Sequence, residues 1–148
     1  MAVVLDLWSR RVIGWAASAS LETSAVVRAL RMALRHRQPP RGLVHHSDRG
    51  VQYASREYQL SLGVAGILPS MSRPGNPYDN AGMETFMATY NRECVGLADG
   101  SGGYATRADA LANFLADFID YAERYYNRVR RHSALGYQSP VAIESILN

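Results

Sequence analysis

Val44-His45-His46-Ser47-Asp48-Arg49-Gly50 and, downstream, Asn80-Ala81-Gly82-Met83-Glu84 decide how the rest of this sequence is read. In the first stretch the apolar run Gly42-Leu43-Val44 leads into a turn, and Asp48 stands at the junction. In the second, Glu84 falls in the first turns of a predicted helix. Thirty-five residues lie between Asp48 and Glu84. That is room for one helix, one strand and one loop, and enough chain to fold the second carboxylate back over the first. Two converging carboxylates suit divalent metal, and a metal pair is a common engine of phosphodiester chemistry. Each residue alone has a plainer reading. An Asp opening a turn also makes an Asx-turn, and an acid near a helix start also favours the helix dipole. His45 and His46 are adjacent on a strand, so they point to opposite faces, and one is expected to pack in the core.

Working outward, residues 2–8 and 12–17 read as two strands of a hairpin around Ser9-Arg10-Arg11. The first strand is apolar almost throughout, as a strand buried on both faces would be. Asp6 interrupts it, and a hydrogen bond to the backbone or to Ser9 in the turn is its expected role. Thr23 caps a predicted helix to about His36, with Val26, Leu30, Ala33 and Leu34 inward, and Pro39-Pro40 stops it. Leu43–His46 is a short strand. Ser55 caps a helix through Leu62, ended by Gly63, and Val64–Leu68 is the next strand, closed by Pro69. Residues 70–80 read as loop, a candidate mobile lid ahead of the Glu84 helix.

That helix runs from about Asn80, its expected cap, to Cys94, with Met83, Phe86, Met87, Tyr90 and Cys94 on one face. Cys94, the single cysteine, reads as a buried filler and leaves no internal disulfide or cysteine-based zinc site. Gly96–Gly103 is a connection. Thr106 caps a long helix to about Asn127, with Leu111, Phe114, Leu115, Phe118, Ala122, Tyr125 and Tyr126 inward. A basic exit, Arg128–His132, opens a C-terminal stretch of about 128–148. Ser139-Pro140 starts a last short helix.

Strands alternating with helices imply an α/β layer structure, and 148 residues imply one domain. The net charge of +3 is mildly basic and says little by itself about nucleic acid. All 16 basic residues are Arg, a residue suited to bidentate phosphate contacts, although GC-rich codon usage accounts for it equally. No signal peptide or membrane span is evident, and a cytoplasmic setting is expected.

Three motifs in order carry a resemblance. They are His46-Ser47-Asp48-Arg49-Gly50; Gly66-Ile67-x-x-Ser70-Met71-Ser72-Arg73-x-Gly75-Asn76-x-Tyr78-Asp79-Asn80-Ala81-x-Met83-Glu84; and Tyr126-Asn127-x-x-Arg130-x-His132-Ser133-Ala134-Leu135-Gly136-Tyr137-x-Ser139-Pro140. Together they closely resemble the catalytic core of bacterial insertion-sequence transposases of the retroviral-integrase superfamily, the second-open-reading-frame type with a DDE triad. The resemblance spans the chain from Val3 to Pro140. It implies a ribonuclease-H-like mixed sheet flanked by helices. It makes Asp48 and Glu84 the second and third triad acids, both catalytic and metal-binding, holding two Mg²⁺ or Mn²⁺ ions.

The implied function is DNA transposition and integration, by cleavage at element ends and strand transfer into target DNA. The partners would be double-stranded DNA and further copies of the full-length protein, with no membrane involved and a nucleoid-associated location. Arg49, Arg73, Asn91, Arg92, Arg128, Arg130 and Arg131 are the expected DNA contacts, and Tyr78 either stacks on a base or packs in its loop. In the family the first triad Asp sits in a segment like Trp-x-x-Asp-x-Thr-Tyr, on the central strand of the sheet. This sequence starts after it, and Asp6 matches the family's strand-turn Asp instead. The expectation is therefore a partial core lacking the first strand, with an incomplete triad and no activity alone. The alternatives are a non-catalytic DNA-binding or interfering fragment, a pseudogene remnant, or a nuclease that recruits Asp6.

Overall fold

The computed structural model describes residues 1–18, 23–95 and 107–146. The chain packs as two compact units. One comprises Met1–Val4 and Ile13–Phe86, the other Leu5–Val12 and Met87–Asn148.

The first unit contains most of the hairpin strands β1 (Ala2–Leu5) and β2 (Val12–Ala16), which pair with each other. β1 is shorter than its apolar run. Asp6 turns the chain: its Oδ1 accepts from the Trp8 and Ser9 backbone N–H groups at 2.9 and 3.1 Å, as expected of it. Only Ala2 of β1 is fully buried; Val3, Val4 and Leu5 are half-buried, because β1 has one strand neighbour among the described residues. On β2 the buried residues alternate: Val12, Gly14 and Ala16.

Helix α1 (Thr23–Arg37) lays Ala25, Val26, Val27, Ala29, Leu30 and Ala33 into the core. A side chain at Gly14 would strike the Ala29 carbonyl and come within 2.9 Å of Ala33. Glycine lets β2 and α1 close together.

β3 (Val44–Ser47) and β4 (Leu68–Met71) form a parallel pair, with Val44 opposite Leu68 and Ser47 opposite Met71. Helix α2 (Arg56–Ala65) connects them. Its N-terminus is as expected: Ser55 Oγ accepts from the Tyr58 N–H at 3.3 Å. Its C-terminus is not. The helix runs through Gly63 and stops at Gly66, which takes the left-handed conformation at φ 70°. The Ile67 N–H then reaches back to the Leu62 carbonyl at 3.0 Å, and Leu62 and Ile67 are both buried. That apolar closure selects Gly66 over Gly63. Val64 and Ala65 are consequently helical, and the strand starts at Leu68 rather than Val64. It also includes Pro69, which is tolerated because β4 has one strand neighbour among the described residues.

Among the described residues, then, the sheet content is two separate two-stranded pieces, β1-β2 and β3-β4, rather than one continuous mixed sheet. The core of this unit gathers Ala2, Ala16, α1, Tyr58, Leu62 and Ile67.

Residues 72–80 are not all loop. Asn76 Oδ1 accepts from the Tyr78 N–H at 3.1 Å and, with Pro77 at the first position, starts a 3₁₀ turn over Pro77–Asn80. Asn80, the expected cap, is the last residue of that turn. Ala81 has right-handed helical angles, so the turn runs directly into α3 (Ala81–Tyr90). A π-helical stretch, Asn91–Val95, follows. The expected single helix from Asn80 to Cys94 is thus wound in two ways.

In the second unit, α4 (Arg107–Ile119) passes into another π-helical stretch, Asp120–Tyr126. Phe118, Tyr121, Ala122 and Tyr126 are buried, while Tyr125 is 44% exposed. The wider i→i+5 winding carries Tyr125 outward and Tyr121 inward, against the 3.6-residue expectation. Tyr121 and Phe118 each meet the Tyr90 ring at a centroid distance of 5.2 Å. A last helix, α5 (Pro140–Ile146), has Pro at its first position and Ser139 Oγ accepting from the Ala142 N–H at 3.3 Å. The expected linker Gly96–Gly103 and the Thr106 cap lie outside the described residues. No helix among the described residues is long and apolar enough to cross a membrane.

Candidate functional site

Parallel pairing of β3 with β4 delivers Asp48 just beyond the C-terminal end of β3. It stays there because an Asx-turn forms: Asp48 Oδ1 accepts from the Gly50 N–H at 2.8 Å. Asp48 is exposed. Burial, and then the negative charge of Asp48, push the Tyr53 phenol upward from its ordinary value. Tyr58 is raised by burial, then Tyr53, then Asp48. The Tyr53 and Tyr58 rings meet edge to face at 5.3 Å.

The two histidines before Asp48 are absorbed by the fold. His45 Nε2 is 2.7 Å from the Tyr58 hydroxyl. Burial, and then the neighbouring His46, lower its pKa from 6.5, so the neutral ring is favoured. His46 places Nδ1 2.9 Å from Ser70 Oγ and Nε2 3.1 Å from Ser72 Oγ. Both of its ring nitrogens are occupied by hydroxyls of β4 and the residue just after it.

The residues flanking Asp48 are tied to one partner. The Ser72 N–H donates to the Ser47 carbonyl at 3.0 Å, and Arg49 Nε donates to the Ser72 carbonyl at 2.8 Å. The next residue, Arg73, is clasped by Asp79. Its backbone N–H and Nε reach Asp79 Oδ2 at 2.9 and 3.0 Å, and its Nη2 reaches Oδ1 at 2.8 Å. Asn76 Nδ2 adds a fourth bond at 3.2 Å. The Arg73 hydrogen bonds hold the Asp79 carboxyl well below the usual carboxylate range. Asp79 stands in the second motif, where no local pattern marks it as functional. The available signal was an acid six residues after an Arg, across a Pro-Gly turn.

Glu84 lies on α3 in the same compact unit and is exposed. Its carboxylate has no protein partner among the described residues. Asp48 and Glu84 thus offer hard oxygen ligands of the kind Mg²⁺ and Mn²⁺ take, with three of their four oxygens free of protein hydrogen bonds among the described residues. The described residues hold no group of three or more His, Cys, Asp or Glu arranged for a metal ion. The donor chemistry fits a divalent cation, and the ligand count leaves most coordination positions to other donors.

The remaining expected DNA contacts belong to the second unit. Asn91, Arg92, Arg128 and Arg131 are exposed. Among the described residues, Arg92 has one long contact, to Glu93 at 3.8 Å. Arg130 is built into the fold: its Nε lies 2.9 and 3.0 Å from the two Glu93 oxygens, and its guanidinium lies 5.8 Å from the Tyr126 ring centroid. Tyr121 donates its hydroxyl to the same Glu93 at 2.9 Å. In the first unit, Tyr78 is 85% exposed and does not pack in its loop. Cys94 is half-buried rather than buried as expected, and burial pushes its thiol upward.

The sequence matches the integrase core domain family twice, over residues 1–77 and 65–140. It is 40% identical to the transposase for insertion sequence element IS904 of Lactococcus lactis, over 97% of this chain and 54% of that protein. It is likewise 40% identical to the transposase InsF for insertion sequence IS3A of Escherichia coli, over 98% of this chain and 48% of that protein. The chain spans about half the length of these curated relatives.

Among solved structures, the fold is similar to a chain of the simian T-cell lymphotropic virus intasome bound to a PP2A regulatory subunit. There the TM-score is 0.69 at 17% identity, over 95% of this chain and 46% of that one. The HTLV-2 integrase catalytic core domain in complex with magnesium gives a TM-score of 0.56 at 17% identity, over 95% of this chain and 81% of that one. These likenesses establish a ribonuclease-H-like α/β fold. The family matches, the first over just more than half of the chain, place it in the integrase core domain family.

Proposed function

We propose that this chain carries the chemistry of DNA transposition, with Asp48 and Glu84 as metal-binding catalytic carboxylates. The observation that carries this reading is the exposure of both acids in one compact unit, at the end of β3 and on α3, with Glu84 unpartnered among the described residues. Mg²⁺ or Mn²⁺ would be held by Asp48 and Glu84. When bound, such an ion lowers the pKa of a water or hydroxyl nucleophile and stabilises the leaving oxygen. The protein's own contribution is to hold each carboxylate on an ordered element. The Asx-turn fixes Asp48, and the helical run from Pro77 through α3 carries Glu84.

Double-stranded DNA is the proposed substrate. Arg49, Arg73, Asn91, Arg92, Arg128, Arg130 and Arg131 supply the proposed contacts. The exposed Arg92, Arg128 and Arg131 are the readiest for phosphate, because Arg130 first has to leave Glu93 and Arg73 has its Nε and Nη2 on Asp79. Assembly with further copies of the full-length protein on paired DNA ends belongs to the same proposal.

Two carboxylates leave a divalent ion largely to water and substrate phosphate, so the 148-residue chain by itself is expected to turn over DNA poorly. A Mn²⁺-dependent strand-transfer assay on element-end DNA tests both parts. Any metal-dependent product should disappear in Asp48→Asn and in Glu84→Gln. Product that survives both substitutions would sink the assignment, and robust wild-type turnover would overturn the claim of weak activity.

A second reading is a non-catalytic DNA-binding role, favoured by the exposed cations of the second unit. It requires salt-dependent binding without metal. In an Arg128→Ala/Arg131→Ala double variant, the slope of log affinity against log salt should then fall by about 1.8, from the roughly 0.9 per phosphate contact seen on B-DNA. An unchanged slope would count against it.

A further inference from the structure

The residues on either side of Asp48 and the helix that bears Glu84 are joined by one short chain of hydrogen bonds. Ser47 and Arg49 both bond Ser72, at 3.0 and 2.8 Å. Arg73, the next residue, gives three hydrogen bonds to Asp79. Asp79 lies in the 3₁₀ turn that runs without a break into α3, five residues ahead of Glu84. Between Arg73 and Asp79 the chain makes a tight excursion through Pro74 and Gly75, the latter at φ 69°. Among the described residues, one backbone-to-backbone hydrogen bond spans this excursion, from the Asn76 N–H to the Arg73 carbonyl at 3.3 Å. Without the clasp, the start of α3 would hang on a Pro/Gly loop held by that bond and the Asn76 cap.

We infer that Asp79, with Arg73, is the positioning residue that sets where Glu84 stands relative to Asp48. The inference rests on the metal-site reading proposed above and goes beyond it by assigning a residue that touches neither metal nor substrate. The geometry is specific. Asp79 uses both carboxylate oxygens on the Arg73 fork, and its backbone bond fixes the excursion where it leaves β4. A bidentate arginine–carboxylate pair has directional as well as electrostatic strength. An exposed surface pair would ordinarily contribute little to stability. This one joins the two ends of a loop that separates two proposed ligands, so its effect should appear in ligand placement rather than in overall stability.

The test compares Asp79→Ala and Asp79→Asn with the wild-type chain by two measurements. The first is Mn²⁺ affinity, from the free-ion electron paramagnetic resonance signal. The second is hydrogen exchange of residues 73–87, with the amides of α1 as reference. Asp79→Ala should weaken Mn²⁺ binding by about 10-fold, in the range for groups that orient metal ligands from outside the coordination shell. It should speed exchange across residues 73–84 while leaving α1 protection unchanged. Asp79→Asn keeps an acceptor for one of the Arg73 bonds and should fall between wild type and Asp79→Ala in both measurements.

Unchanged exchange over residues 73–84 would overturn the inference, as would faster exchange with unaltered Mn²⁺ affinity; either result leaves the metal site itself standing. If instead Mn²⁺ binding is insensitive to Asp48→Asn and Glu84→Gln, the metal site falls and this inference with it. Loss of α1 protection in Asp79→Ala would mark a global defect. Asp79→Asn then decides: native α1 protection with weaker Mn²⁺ binding supports the role, and native Mn²⁺ binding overturns it.

Discussion

Asn127 is 1% exposed, and both ends of its amide are bound to Val12. Its Oδ1 accepts from the Val12 N–H and its Nδ2 donates to the Val12 carbonyl, both at 2.9 Å. It satisfies both backbone groups of Val12 at the start of β2. Asn127→Ala would leave two buried backbone groups unsatisfied, and a loss of about 3 kcal/mol is expected, read as a lower urea midpoint. A loss under about 0.5 kcal/mol, the scale of an ordinary surface change, would contradict it.

Glu93 makes a pH-dependent claim at the same scale. Burial acts to raise its pKa, but hydrogen bonds from Arg130 and Tyr121, with the charges of Arg130 and Arg92, bring it below the ordinary 4.5. A carboxyl lowered in the folded state stabilises the fold above that ordinary value. The contribution is lost as pH falls through the lower, folded value. Glu93→Gln should flatten this acid limb of a stability–pH curve, and an unchanged limb would count against the assignment. Arg130 reads in the sequence as one more basic residue beside Arg128 and Arg131. Its fixed place emerges only once Glu93 and Tyr121 come to it from other elements.

At the scale of elements, β2 and α1 meet at Gly14. Gly14→Val would drive its side chain into the Ala29 carbonyl and Ala33. About 3 kcal/mol of destabilisation is expected from such overpacking, seen as a lower melting temperature with near-native circular dichroism. The π-helical stretch gives a paired test. Tyr121 is 7% exposed and Tyr125 44%. Tyr121→Ala should cost about 3 kcal/mol as a large-to-small core change. Tyr125→Ala should cost about 1 kcal/mol or less, as expected outside the core. Reversed costs in urea denaturation would mean that the helix keeps its 3.6-residue winding. Apolar spacing alone favours Tyr125, because periodicity assumes one winding throughout. The same limit hides the change at Asn91. Helix ends marked by side-chain caps, Ser55 and Ser139, are legible beforehand, since a cap is a local hydrogen bond.

At the scale of the whole molecule, the sheet among the described residues is divided into β1-β2 and β3-β4. Leu43, Val44 and Leu68, neighbours at the start of the second pair, are 47, 59 and 55% exposed. Free edges with exposed apolar residues invite pairing with other chains. The 148-residue chain is expected to self-associate at rising concentration, and Val44→Lys/Leu68→Lys should shift it toward monomer in sedimentation velocity. Identical concentration dependence in wild type and double variant would sink this prediction. The α/β class, the β3–α2–β4 order and the ribonuclease-H-like resemblance are all readable from the sequence. The break between the two strand pairs is a property of hydrogen bonding between distant segments.

The sequence by itself determines the hairpin and its Asp6 turn, the Ser55 and Ser139 helix caps, the Asp48 turn, and the motifs that identify the integrase core domain family. Each depends on neighbours in the chain or on residue order. Tertiary structure decides what depends on distant partners. It closes α2 at Gly66 rather than Gly63, because Ile67 and Leu62 are buried together. It occupies both nitrogens of His46 with Ser70 and Ser72, commits Arg130 to Glu93, and binds Arg73 to Asp79. A charged or polar side chain looks the same in sequence whether it meets solvent, DNA or a buried partner. Its role is set by which oppositely charged or hydrogen-bonding group folding brings within reach.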